Sequence, residues 1–510
     1  MNPSIHSVFA LAGALAILTA PAAAQLQFAE LARIALPSNS PQASTMALGD
    51  VDGDGDLDIL LGRATGTASP QRDRLLINQG GGAFVDETIA RMPVAFLYTT
   101  AVAFGDVDGD GDLDIIIGSQ GQGAQTRLYV NNGSGTFTDV TASQMPVDLN
   151  LVTSLALGDV DGDGDLDLVI GNGFYLQNLL YLNNGTGTFT DATVGRLPII
   201  GDPTNSAVLG DVDGDGDLDL VVGNSAQQAG QSRLHLNDGT GVFLDATLTN
   251  MPLGALFTTS IALGDVDGDG DLDLVLGIDG QNRLYDNDGT GIFSDVTAAR
   301  LPVDADSATK VALADMDGDG DLDLVIGNFE FSVGQQNRLY LNDGAGGYTD
   351  VTASRMPIVN DETGTLVLGD LDGDGDVDML VSNGVFSGVV RHYTNLQRQL
   401  YSPAAPAIGQ NFLLDVYMRH QPSGAVSLAI PVASFAPATT AVPPYGTLGL
   451  AQPLITLPLL VVPQSTGIAS MNLAIPNYPW LVGVPIFVQA LMAPYPYQPS
   501  FSNVVSEVLH

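Results

Sequence analysis

Hydrophobic and polar positions between about residues 26 and 398 follow one pattern, repeated seven times. A short alternating run, MALGD (46–50), leads into the acidic stretch DVDGDGDLD (50–58), and an apolar run, DILLG (58–62), leaves it. A third run, such as RLYVN (127–131), ends at Asn-Asn-Gly or Asn-Asp-Gly, a strong hairpin signal between two strands. A fourth, such as TFTDVT (136–141), alternates as a strand does when one face meets solvent. Each unit therefore predicts four short strands. Four-stranded units at a regular period predict an all-β fold, a β-propeller with seven blades.

The spacing supports a closed ring. The first aspartates of the acidic stretches are Asp50, Asp106, Asp159, Asp211, Asp265, Asp315 and Asp370, 50 to 56 residues apart. A proline stands 13 residues before each of them, from Pro37 to Pro357. An aromatic stands nine residues before six of those prolines: Phe84, Phe137, Phe189, Phe243, Phe293 and Tyr348. The seventh unit stops at RHYTNLQRQ (391–399) without a fourth strand, while Phe28 keeps the nine-residue interval to Pro37. Residues 26–37 are therefore expected to supply the outer strand of the last blade, closing the ring and covering the edge an open sheet would expose.

Charge adds the chemistry. The chain of 510 residues carries a formal net charge of −42, and 35 of its 58 acidic side chains lie in the seven acidic stretches. That balance argues against a nucleic-acid partner, whose phosphates would be repelled. There is no cysteine, which excludes disulfides, thiolate metal sites and cysteine nucleophiles. The apolar stretch Val8–Ala20 followed by Ala22-Ala23-Ala24 predicts a signal peptide over residues 1–24 and a secreted or cell-surface protein, although no Lys or Arg precedes the stretch. No other segment is long and apolar enough to predict a transmembrane span.

Five carboxylates within nine residues need a counter-charge. Aspartates at positions 1, 3 and 5, glycine at 6 and a carbonyl at 7 match the first half of a calcium-binding loop. Here an aspartate at position 9 closes the loop. An all-oxygen site selects Ca²⁺ over transition metals, and about seven ions per chain are expected. The candidate metal residues are Asp50, Asp52, Asp54, Asp56 and Asp58 in the first loop and Asp106, Asp108, Asp110, Asp112 and Asp114 in the second. The third has Asp159, Asp161, Asp163, Asp165 and Asp167; the fourth has Asp211, Asp213, Asp215, Asp217 and Asp219. The fifth has Asp265, Asp267, Asp269, Asp271 and Asp273; the sixth has Asp315, Asp317, Asp319, Asp321 and Asp323. The seventh has Asp370, Asp372, Asp374, Asp376 and Asp378. Positions 1, 3, 5 and 9 are expected to ligate through side chains. Position 7 is expected to ligate through its carbonyl and turn its carboxylate outward. The bland alternative is an acidic turn without metal.

The motif DxDGDGDxD, then LVIG, then LYLNDGTGxFTD resembles the FG-GAP and VCBS repeats of integrin α-subunit propellers and many secreted bacterial proteins, over about residues 26–398. The resemblance implies a seven-bladed propeller with Ca²⁺ in its hairpin loops. The family spans adhesion, carbohydrate binding and some polysaccharide lyases, so it implies fold and metal more firmly than activity.

Composition shifts near Gln399. Residues 401–510 hold 16 of the 28 prolines and three charged side chains, Asp415, Arg419 and Glu507. Short apolar runs at 412–418, 457–462 and 484–491 predict a small C-terminal β-sandwich. Residues 474–492 resemble a C-terminal module of secreted bacterial repeat proteins. That module is read as a structural cap, with surface retention or sorting as the alternative and Trp480 as a core residue.

No catalytic constellation stands out. His235 and His392 fall on third-strand positions, and Lys310, the only lysine, lies in a first strand. The favoured reading is a monomeric binding or adhesion module for carbohydrate or a cell-surface protein. Acidic loops and Asn-Gly turns would share one face. The opposite face would carry the loops between second and third strands, which vary in length and are rich in Gln, Asn, Ser and Gly: residues 63–73, 119–126, 172–178, 224–232 and 328–337. One alternative is a polysaccharide lyase or hydrolase working in the central channel. Another is a structural envelope protein without a specific ligand.

Overall fold

The computed structural model describes residues 27–29, 36 and 43–396, apart from 64–70, 122–123, 148–150, 226–229, 255, 331–333 and 384–389, and backbone strands between 400 and 508. The signal-peptide segment and Trp480 lie outside the described residues.

Seven four-stranded antiparallel sheets succeed one another along the chain. The second blade is representative. Its strands Thr99–Gly105, Asp114–Ser119, Arg127–Asn131 and Phe137–Asp139 pair in chain order. The apolar run after each acidic loop forms the second strand, and in every blade that strand is buried along its whole length. This explains its unbroken Ile, Leu and Val content. The core is divided among the blade interfaces. Ile116 and Leu128 of blade two pack with Val152, Leu168 and Tyr181 of blade three, for example, and each interface has a matching cluster. Gly118 marks how close the blades come: a Cβ there would lie 2.3 Å from the Val152 side chain.

First strands are innermost and stapled to one another. In blades two to seven the first strand carries a register shift, which frees one residue from the ladder. Thr153, the freed residue of blade three, donates its hydroxyl to Gly171 O (3.0 Å) and to Thr204 O of blade four (2.7 Å). Thr100, Thr259 and Thr309 do the same in their blades.

The last blade is built from both ends of the repeat array. Phe28 and Ala29 pair with Asn395 and Thr394, next to Asp378–Asn383 and Thr363–Gly369. The ladder spans two residues; of the 26–37 segment expected to form it, residues 30–35 and 37 lie outside the described residues. Buried Gln27 occupies the place where other blades have their third-to-fourth turn. Its backbone N–H donates to Arg355 O (2.7 Å), and its side chain accepts from Arg355 (2.8 Å) and donates to Met316 O (2.5 Å).

The fourth strands are shorter than their alternation predicts. Phe84–Asp86 is three residues, and Thr88–Arg91 turns into a single helical turn. The equivalents are Thr141–Gln144, Thr247–Asn250, Thr297–Arg300 and Thr352–Arg355. An Asp-x-Thr pair ends the ladder in blades one to six. Asp139 accepts from Thr141 N–H (3.1 Å), while Thr141 Oγ1 accepts from Leu128 N–H (3.1 Å). The backbone is thereby tied locally rather than to a further strand.

Beyond residue 399, Asn411–Tyr417 pairs with Ile468–Ala474, and Ser427–Ser434 pairs with Pro485–Ala493. These strands lie in two separate sheets. No helix among the described residues is long and apolar enough to cross a membrane.

Candidate metal centres

Every acidic loop bridges the first and second strands of its blade, and local geometry folds it tightly. Asp50 Oδ1 accepts from the N–H groups of Gly53 (2.8 Å) and Asp54 (3.1 Å), and Oδ2 from Gly55 (2.8 Å). Asp54 Oδ1 in turn accepts from Asp56 N–H (3.0 Å). Gly55 sits at φ 93°, a conformation that L side chains resist. The same bonds to the N–H of the first glycine recur from Asp106 to Asp370.

The loop brings its carboxylates together. In the first four blades, oxygens of positions 1, 3 and 9 lie within 4.8 Å of one another, as in Asp50, Asp52 and Asp58; in the fifth blade the trio is Asp265, Asp267 and Asp269. Such groups could hold metal ions. One observation tests whether they suit a cation. Oδ1 is buried without a hydrogen-bond partner in Asp52, Asp108, Asp161, Asp213, Asp267 and Asp317. A buried carboxylate oxygen left this way is costly, and a hard cation would satisfy it with the donor type it prefers. The donor set and the unmet oxygens therefore fit a cation such as Ca²⁺.

Position 9 has a second role that spacing alone did not reveal. Asp58 is wholly buried; Oδ2 accepts from Val51 N–H (3.0 Å) and Oδ1 from Asn78 N–H (2.8 Å). Asn78 Nδ2 then donates to Leu371 O of blade seven (2.9 Å). All seven blades repeat this, with Asn131, Asn183, Asn237, Asn287, Asn342 and Asn395 each reaching the loop of the preceding blade. The result is a belt of hydrogen bonds around the ring. Burial raises the Asp58 pKa to about 7, and those of Asp114, Asp167, Asp219 and Asp273 to about 6, against the opposing pull of their two N–H donors. Each is a costly buried charge that a cation would relieve.

In blades one to six the position-7 carboxylate is turned toward the third-to-fourth turn of its own blade. A Cβ at Gly133 would lie 2.5 Å from Asp112 Oδ2, so this turn needs glycine for a close approach. Acidic loops and Asn-Gly turns thus share one face of the ring. An arginine closing the outer turn supplies positive charge to four loops: Arg91 to Asp52 (3.1 Å), Arg196 to Asp161 (3.8 Å), Arg300 to Asp267 (3.0 Å) and Arg355 to Asp317 (3.0 Å). Blades two and four have Gln144 and Asn250 at that place. These reach the next blade's turn, at Thr186 O (3.2 Å) and Gly291 O (3.1 Å), but carry no charge.

Fold and loops together define a class, an integrin-like seven-bladed propeller with a cluster of carboxylates at the head of each blade. The model for the FG-GAP-like repeat matches residues 50–117, 106–170, 159–222, 211–276, 265–326 and 329–381, and the chain belongs to that family. The first five matches each begin at the first aspartate of one loop and run into the second strand of the next blade. No curated protein matches the chain. Among solved structures, the chain is similar to a lectin of Agrocybe aegerita described by its recognition of non-reducing terminal N-acetylglucosamine. Identity is 22% and the TM-score 0.41, covering 61% of this chain and 79% of that one.

Proposed function

We propose that the chain is a secreted, calcium-stabilised propeller that binds carbohydrate or a cell-surface protein through the face opposite its acidic loops. The observation that carries the metal half is the set of buried, unpartnered aspartate oxygens at position 3 of six loops, each beside further carboxylates. Bound Ca²⁺ would supply the counter-charge these groups lack. Positions 1, 3, 5 and 9 would offer side-chain oxygens and position 7 its carbonyl. The binding half is supported by the division between the two faces. Acidic loops and turns repeat almost residue for residue, which suits a structural task. The second-to-third loops differ in length and composition, which suits recognition on a rigid frame. Parts of four of those loops lie outside the described residues.

Elemental analysis of protein dialysed against micromolar calcium tests the first half. A ratio near seven per chain is expected, and two or fewer would overturn it. A glycan array combined with capture of surface proteins tests the second. Binding that survives Asp265→Ala at saturating calcium, but falls with Gln120→Ala, Gln177→Ala or Gln335→Ala, is expected. Binding lost only in the still-folded acidic-loop variant would place recognition on the metal face instead.

A further inference from the structure

The seven first strands carry one charged side chain between them, Lys310. Each is the terminal strand of its sheet, and its unpaired edge faces the centre of the ring. Lys310 lies opposite Gly327 in the ladder, the register that Ser154, Ser206 and Ser260 hold opposite Gly171, Gly223 and Gly277. Those serines seal the joint with the next blade: their hydroxyl oxygens accept from Ala207 N–H (3.0 Å), Ile261 N–H (3.2 Å) and Val311 N–H (3.3 Å). Blades one, two and seven have Thr45, Ala101 and Thr365 at this place. An ammonium cannot accept such a bond, and a four-carbon stem is longer than the gap a hydroxyl fills. Lys310 is half-buried, so part of it meets solvent, and beside an innermost strand that solvent lies in the central channel.

Among the described residues nothing neutralises this charge. Lys310 forms no hydrogen bond or ion pair, and burial alone lowers its pKa from 10.5, so no carboxylate stands close enough to act on it. The strands packed around it, Thr258–Gly264, Asp323–Asn328 and Thr363–Gly369, hold one acid, Asp323, at the acidic-loop end opposite Ala314. Asp306 and Glu362 precede the first strands of blades six and seven; Arg338 takes the former (2.6 Å), and neither acts on Lys310. Asp315, where the acidic loop begins, is five positions along the strand, roughly 17 Å at about 3.3 Å per residue. That is beyond the screening length of about 8 Å at physiological salt.

First strands run toward the acidic loops, so Lys310, near the start of its strand, lies toward the opposite face. One position before this register, six blades place a polar side chain: Ser44, Thr100, Thr153, Asn205, Thr259 and Thr309. Each donates to a carbonyl of the next blade. The hydroxyl oxygens keep lone pairs for a further donor. Blade seven has Gly364 there, exposed and without a side chain. Lys310 faces that blade: a Cβ on its ladder partner Gly327 would meet Thr363 and Leu366. The unneutralised cation thus stands beside the one bare position of the lip.

We infer that Lys310 is an anion site at the mouth of the central channel, and that it takes the carboxylate of an acidic sugar, a uronate. The carboxylate meets the ammonium, a contact no neutral sugar can make, and a ring hydroxyl donates to the oxygen of Thr309. A single carboxylate suits the site better than a polyanion, because the chain as a whole is strongly acidic. This rests on the carbohydrate reading above and names the class of sugar.

Lys310 is the only lysine, so ¹³C-lysine labelling of the intact calcium-loaded chain gives one set of side-chain NMR signals. The probes are glucuronate, galacturonate, glucose, acetate and N-acetylglutamate. At least one uronate is expected to shift the signals and raise the pH of their titration midpoint, since a bound anion favours the charged amine. Glucose should do neither. Lys310→Met should weaken that uronate at least tenfold by calorimetry while the melting temperature holds. Gly364→Thr, which restores a side chain to the lip, should weaken it several-fold and keeps the test open if Lys310→Met perturbs folding. Uronate binding that leaves the Lys310 signals unmoved and survives both variants overturns the site but not the carbohydrate reading, as does binding of neutral sugars alone. N-acetylglutamate bound as tightly as either uronate assigns the cation to acidic protein and overturns the sugar. Absence of binding to any saccharide, on the array and in solution, overturns the carbohydrate reading and the uronate site together.

Discussion

Asn131 Nδ2 donates to the carbonyl oxygen of Val51, 2.8 Å away and 80 residues back in the chain. That bond joins blade two to the acidic loop of blade one. The Val51 N–H is bound to Asp58, and the Asn131 N–H to Asp114 (2.8 Å). Each blade is thus tied through its neighbour's loop, and loosening one unit leaves a buried carbonyl unmet in the next.

Asn131→Ala should therefore destabilise the protein by more than its small size suggests, about 1–3 kcal/mol for a buried acceptor left without its donor. The urea midpoint measures it. A change below about 0.5 kcal/mol would mean that the belt contributes little.

Chelation should lower the melting temperature by about ten degrees or more at neutral pH if the loops hold calcium. A site at one hundred times its dissociation constant contributes roughly 2.7 kcal/mol, and seven such sites together exceed the stability of an ordinary domain. Calorimetry with and without chelator decides it. An unmoved melting curve removes metal from the account of stability.

The arginines divide the loops into two kinds. Arg300 lies 3.0 Å from Asp267 and 2.6 Å from Asp286, whereas the matching Gln144 of blade two brings no charge to its loop. Arg300→Gln should tighten metal binding in blade five about two- to fivefold, the scale of a partly exposed ion pair of roughly 0.5–1 kcal/mol. Gln144→Arg should loosen blade two by a similar factor. Calorimetric titration resolves the steps, and identical isotherms for all three proteins would contradict the assignment.

Asp73 offers a test of pH dependence away from the loops. It is buried beside Arg63 N–H (2.9 Å) and Thr99 Oγ1 (2.8 Å), and burial raises its pKa from 3.8 to about 6. The folded state then holds more protons than the unfolded one between those values. Its contribution is full below about pH 4 and is lost as pH rises through 6. Asn178, Asn282 and Asn337 accept the matching N–H groups in other blades, at 2.9, 3.0 and 2.9 Å. Asp73→Asn should thus fit without strain and stabilise at pH 8 by about 1–3 kcal/mol, with little effect at pH 4. Urea midpoints at the two pH values check this; equal pH slopes for the two proteins would refute it.

The strands were legible because their signals are local. Apolar runs such as Ile115–Ile117 lie within a few residues of the aspartates that introduce them, and Asn-Gly turns mark the hairpins. The helical turns were not, since four residues such as Thr88–Arg91 cannot display a period of 3.6. The Asp86-x-Thr88 pair was the available sign. The double duty of Asp58 and the reach of Asn78 depend on residues from other blades, which no single repeat contains. His235 was correctly read as a strand residue.

The seam at Gln27 and Phe28 has a topological consequence. It falls where every other blade has its third-to-fourth turn, so the break is one of seven equivalent places at which a ring of these units can be cut. A chain with Leu396 joined to Gln27 through an Asn-Gly turn, and new ends opened at the turn between Asn237 and Phe243, would contain the same blades in the same cyclic order. Such circular permutants should fold, each with its latch in a different blade, and their relative stabilities would rank the seven turns as points of closure.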